Sequence, residues 1–205
     1  MEIPVWVDEL RFKGEESLYV EFNSLLEKTN RLESQLESWK DFKGVLTTSG
    51  NLLRNRIIVI LESFFQLKVD PIEENRVHAV IVGDDNSPSV MIQATSTEQG
   101  IPRELLDQVD SHRKRHWPST PMPAVLFINN DISMTGIGAR LKTKVAEDVV
   151  KHAGDLNILI VRTIDLLFLM RHLEDDPQRK SRLMHIFASG GGWLKANEER
   201  YEIVS

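Results

Sequence analysis

Residues 77–97 read VHAVIVGDDNSPSVMIQATST, and the fold turns on how they pair. Val77–Val82 and Val90–Ala94 are β-branched and apolar at both parities, a pattern that suits strands covered on both faces. Between them, Gly83-Asp84-Asp85-Asn86-Ser87-Pro88 is dense with turn formers. A hairpin brings His78 beside Gln93 and Thr95 at one end and leaves Asp84 and Asp85 at the other. Gln93 and Thr95 share a face because side chains alternate along a strand.

Ahead of the hairpin, a short arm, Met1–Lys13, carries Pro4 and Trp6. A long helix then begins at Gly14-Glu15-Glu16, its acids placed for the positive end of the helix dipole. Leu18, Phe22, Leu25, Thr29, Leu32, Leu36 and Trp39 recur at 4-3 spacing, a coiled-coil heptad interrupted only by Thr29. From Glu15 to Lys43 such a helix is about 43 Å long. That exceeds the width of a compact domain of this size, so the stripe is expected to meet another chain or to fold back on its own. The plainer alternative is an ordinary amphipathic helix lying on its own domain. Gly44–Gly50 breaks the pattern. Ser49 is the expected N-cap of a helix over Asn51–Leu67, with Leu53, Ile57, Ile60, Leu61 and Phe64 inward. Asp70-Pro71 reads as a linker to the hairpin.

Beyond the hairpin, Gln99-Gly100-Ile101-Pro102 leads into a helix over Arg103–His116, then a loop with Pro118, Pro121 and Pro123. Ala124–Asn129 is a third buried strand. Gly136–His152 reads as one amphipathic helix, with Ile137, Leu141, Val145, Val149 and Val150 inward. Ile158–Val161 is a fourth strand. Thr163 caps a helix to Glu174, Pro177 opens another to Ala188, and Trp193–Val204 closes the chain as a hairpin or strand. Helices alternating with short apolar strands give an α/β fold with a mixed sheet. Two parts are expected: residues 1–46, an arm and heptad helix, and residues 47–205, an α/β domain.

Composition narrows the classes. The 205 residues are 41% hydrophobic and 27% charged, with a net charge of −6, so the overall field does not favour nucleic acid. There is no cysteine, which removes disulfides and thiolate metal sites and fits a reducing cytoplasm. No basic region precedes an apolar run at the N-terminus, so no signal peptide is expected. Ile158–Met170 is too short for a membrane span and carries Arg162 and Asp165, so it reads as core. A cytoplasmic protein with no membrane contact is expected.

The segments GNLLRNRIIVILESFF, VHAVIV–SVMIQATS, LLDQVDSHR, AVLFINN and AGDLNILIVRTIDLLFLM, in this order and spacing, resemble the restriction-endonuclease-like (PD-(D/E)xK) superfamily, in particular bacterial and archaeal members fronted by a coiled coil. The resemblance spans nearly the whole chain and implies a mixed sheet flanked by helices. In that family an acid from the opening helix, one from the first hairpin strand, and an acid plus lysine from the second hold a divalent metal. The metal activates water and stabilises the leaving oxygen. Here Arg54, His78, Gln93 and Thr95 stand at those positions. None is a carboxylate, and Arg54 would repel Mg²⁺. The resemblance therefore implies an inactive nuclease-like domain with no cofactor, used in assembly or recognition. Its expected partner is a second copy or another protein, held through Leu18, Phe22, Leu25, Leu32, Leu36 and Trp39. The alternatives are an active Mg²⁺-dependent nuclease using Glu73, Glu74 or Glu98, and a nucleic-acid binder that does not cleave.

The binder would use His112-Arg113-Lys114-Arg115-His116-Trp117, the most basic stretch, with Trp117 for base stacking. The same residues also read as a solvated helix end whose cations suit the carbonyl terminus. His112 and His116 have zinc spacing but no evident third ligand. Asn129-Asn130 follow a strand, where ligand groups often sit and turns are equally at home. Asp165 is expected to serve its helix dipole, and Glu174-Asp175-Asp176 to be a solvated loop. No Ser-His-Asp set, phosphate loop or dinucleotide fingerprint is present.

Overall fold

A computed structural model describes residues 12–72, 78–119 and 122–205, and for His78 the backbone alone. Most of the N-terminal arm, Glu73, Glu74, Val77 and Pro121 lie outside the described residues. The chain forms two compact units, residues 1–41 and 42–205.

In the first unit the described residues belong almost wholly to α1, Lys13–Lys43, with Glu15 and Glu16 in its first turn. Leu18, Phe22, Leu25, Leu32 and Leu36 are between 50% and 67% exposed, so the heptad stripe faces water. Trp39 is half-buried.

The second unit is built on a seven-stranded sheet whose spatial order follows the sequence. β1 (Lys68–Pro71), β2 (His78–Val82) and β3 (Pro88–Ser96) form an antiparallel meander. β4 (Ala124–Asn129), β5 (Ile158–Arg162) and β6 (Gly192–Ala196) continue it in parallel, and β7 (Tyr201–Val204) returns antiparallel. The parallel strands need crossover helices. These are α3 (Arg103–His116) between β3 and β4, and α4 (Ile137–Lys142) with α5 (Glu147–Asp155) between β4 and β5. α6 (Thr163–Leu173) and α7 (Arg179–Ala188) connect β5 to β6. The α/β class with a mixed sheet and a long N-terminal helix is as the sequence reading expected.

One face of the sheet packs Met91, Ala124, Leu126, Ile128, Ile158, Ile160 and Trp193 against Leu106 and Val109 of α3 and Val149, Val150 and Ala153 of α5. The opposite face takes α6, where Ile164 and Phe168 meet Ala196 and Leu46. β4 and β5 are wholly buried, as strands covered on both sides must be. Burying one such Leu or Ile side chain contributes about 1.5–3 kcal/mol.

Several local expectations need correction. Residues 51–67 are not one α-helix: α2 (Gly50–Val59) runs into a five-residue π-helical turn, Ile60–Phe64, and Gln66 takes φ 58°. Ser49 stands at the N-cap with an extended backbone, but its side chain makes no capping bond. Asp70-Pro71 is the end of edge strand β1, the kind of strand to which proline is confined in sheets. The helix expected over Gly136–His152 is two helices, broken where Thr143 turns extended. The Arg162 guanidinium explains the break, because it takes the Arg140 and Thr143 carbonyls that a continuous helix would use. Arg162, not Thr163, is the N-cap of α6, and α7 starts at Arg179 rather than Pro177.

Candidate functional site

The meander fixes three of the four positions suspected in the sequence. His78 pairs with Gln93 across the β2–β3 ladder, and Gln93 and Thr95 lie beside Leu126 and Ile128 of β4. Alternation gives Gln93 and Thr95 the parity of Met91, on the α3/α5 side. Gln93 is 5% exposed and Thr95 half-buried. Arg54 sits on α2, which packs along β3. None of α2's buried residues belongs to the α3/α5 cluster, and Leu46 just before α2 packs on the other face. Asn129, of the opposite parity to Ile128, donates to the Thr48 carbonyl just ahead of α2, at 2.9 Å. The helix that carries Arg54 therefore lies on the face of β3 opposite Gln93 and Thr95.

The groups gathered at the α3/α5 side are an amide and a hydroxyl, with the His78 backbone in register. They offer neutral hydrogen bonding and no anionic oxygen. Glu98 is exposed in the loop after β3. At the far end of the hairpin, Asp84 pairs with Lys180 at 2.8 Å. Asp85 accepts the Ser87 hydroxyl at 2.7 Å and its amide at 3.0 Å, bonds that hold its carboxyl below the usual range. Among the described residues no three His, Asp or Glu side chains come close enough to hold a metal ion. Glu73 and Glu74 are not among them.

The basic stretch is largely dismantled as a surface. Arg113, 12% exposed, donates to Asp110 at 2.5 Å and to the carbonyls of Leu156 (2.7 Å), Met122 (3.2 Å) and Asn157 (3.2 Å). It ties α3 to the entries of β4 and β5. Lys114 pairs with Asp110 at 2.6 Å. Trp117 is half-buried, packed against the α3/α5 core and beside His116. Burial lowers the His112 pKa, helped by the charges of Arg115 and His116. Lys114 and Arg115 are what the stretch presents to water.

Sequence reasoning missed a buried polar lattice at the carboxyl ends of β4 and β5. Asp165, fully buried, accepts Arg162 Nε at 2.5 Å and Nη2 at 2.8 Å, Trp193 Nε1 at 2.9 Å and the Ala196 amide at 3.1 Å. The Arg162 guanidinium lies 4.7 Å over the Trp193 ring. Next to it, Asn129 Oδ1 accepts Arg140 Nη1 at 2.7 Å and Thr163 Oγ1 at 3.1 Å. The signal in the sequence was an arginine and an acid three residues apart in an apolar run. Open α/β sheets bind ligands at this end, but here each acceptor is already taken by the chain. Asp165 locks β6 to the start of α6 rather than serving only its dipole.

A surface cleft of about 290 Å³ lies between Gln66 and the loop Glu174–Lys180. Of its charges, Asp176 pairs with Arg182 at 2.6 Å and Lys180 with Asp84 at 2.8 Å. Among the described residues no helix is long and apolar enough to cross a membrane. Compared with protein-family models, curated proteins and solved structures, the chain gives no match.

Proposed function

We propose that the chain is a nuclease-like domain that acts in assembly rather than catalysis, joined to a second copy of itself through α1. A helix, an antiparallel meander, a crossover helix and a parallel fourth strand follow one another as expected for the restriction-endonuclease-like superfamily. The observation that carries the inactive reading is the central one: Gln93 is buried in register with His78, with Thr95 two residues on, where that family keeps two acids and a lysine. Mg²⁺ needs anionic oxygens in octahedral array, and a neutral amide with a hydroxyl is a poor substitute. The assembly half rests on five large apolar side chains exposed at heptad spacing on α1. Lack of cysteine suits a reducing, cytoplasmic setting.

Two measurements test this reading. Light scattering is expected to give twice the 23.5 kDa of one chain, falling to one chain when Leu25→Glu and Leu32→Glu are combined. An unchanged mass in the folded double variant would remove the role of α1. Plasmid and single-stranded DNA incubated with Mg²⁺ or Mn²⁺ are expected to stay intact. Cleavage abolished by Glu98→Gln, or by Glu73→Gln with Glu74→Gln, would replace this reading with an active nuclease. Binding without cleavage that weakens steeply with salt would replace it with a nucleic-acid binder.

A further inference from the structure

From the charges that flank the exposed stripe of α1, we infer that two copies associate as a parallel, in-register coiled coil. This rests on the assembly reading above and adds its orientation. Leu18, Leu25, Leu32 and Trp39 fall at heptad position d, and Phe22, Thr29 and Leu36 at a. Lys28 then occupies g and Glu33 the following e. In a parallel dimer g faces the next e across the seam, so Lys28 meets the partner's Glu33. Twofold symmetry makes that pair twice.

Antiparallel alignments do worse. One that covers six of the seven stripe positions opposes Phe22 to Leu32 and sets Lys28 against a second Lys28. A shift by one heptad opposes Phe22 to Trp39 and covers as many, but it puts Lys28 against Gln35 and Glu33 against Leu26, leaving both charges without counterparts. A shift the other way pairs Lys28 with Glu21 but leaves Leu32 and Leu36 uncovered. Thr29 points the same way. In the parallel arrangement the two Thr29 hydroxyls share one layer and can bond each other. In the two antiparallel ones that cover six positions Thr29 faces Leu25 or Leu32. A single polar a position of this kind fixes register at some cost in stability.

The cysteine-free chain makes the test direct. Leu18→Cys alone is expected to give a covalent dimer under mild oxidation, because in-register d positions lie within disulfide reach. In either of those antiparallel alignments the two sulfurs are about 27 Å apart or more. Lys28→Glu is expected to weaken the dimer roughly tenfold in sedimentation, and Lys28→Glu with Glu33→Lys to restore it. Cross-linking only in a mixture of Leu36→Cys chains with Leu18→Cys or Leu25→Cys chains would overturn the orientation while the dimer stands. A dimer unaffected by Lys28→Glu would overturn the charge argument and the inference with it. A single-chain mass for the unmodified protein would overturn both the inference and the assembly reading.

Discussion

Arg162 and Asp165 close a two-pronged ion pair across the junction of β5 and α6, with side chains 2% and 0% exposed. Charges this deep hold only while each answers the other. Asp165→Ala strands a guanidinium in the core and is expected to cost about 3–5 kcal/mol. Arg162→Met combined with Asp165→Leu removes both charges and is expected to cost less than either single change. Urea unfolding of the three variants, read as midpoint and slope, checks the order.

Arg113 and Arg115 stand two residues apart and should separate cleanly. Arg113→Ala releases three backbone carbonyls and leaves Asp110 with Lys114 alone, so a loss of about 2–4 kcal/mol is expected. Arg115→Ala, on the exposed side, is expected to change stability by less than about 0.5 kcal/mol. Equal effects in thermal melts would contradict the anchoring role given to Arg113.

Asp110 sets a pH dependence. Burial pushes its carboxyl up, but hydrogen bonds and charge from Lys114 and Arg113 outweigh burial and leave it lowered. A lowered acid stabilises the fold fully above its unfolded value, near pH 4, and loses that contribution as pH falls through its folded value. Asp110→Asn is therefore expected to be less stable at neutral pH. The gap to the unmodified chain should narrow below about pH 4. Unfolding free energies measured between pH 2.5 and 7 would show parallel curves if Asp110 were not responsible.

Gly191 sits where the chain has no room. A Cβ there would lie 2.3 Å from the Ala153 carbonyl oxygen and 2.8 Å from the Ile158 amide, both backbone atoms. Gly191→Ala is expected to cost more than about 1–3 kcal/mol, since neither neighbour is the end of a flexible side chain. By contrast, Gly138→Ala meets nothing within 4 Å. Melting temperatures of the two variants give the comparison.

The hairpin was legible because β-branched blocks flanking a turn leave little choice of register, and His78 does face Gln93. The heptad helix and the buried strands β4 and β5 followed from apolar spacing in the same way. The split of the helix around Thr143 was not legible, because its cause, Arg162, is distant in sequence and acts through carbonyls. The face of the sheet on which α2 lies was equally hidden. A helix stripe says which side is buried, not which side of a sheet receives it. For the basic stretch, composition counted charges, whereas Arg113 spends its own on backbone inside the fold.

Because each strand of the sheet lies beside its neighbours in the chain, no strand needs to wait for a distant one before it can dock. Synthesis from the amino end delivers the meander first, and every later strand arrives with its template already made. Growth from one edge to the other keeps loop closures short and leaves only a single fresh edge open at a time.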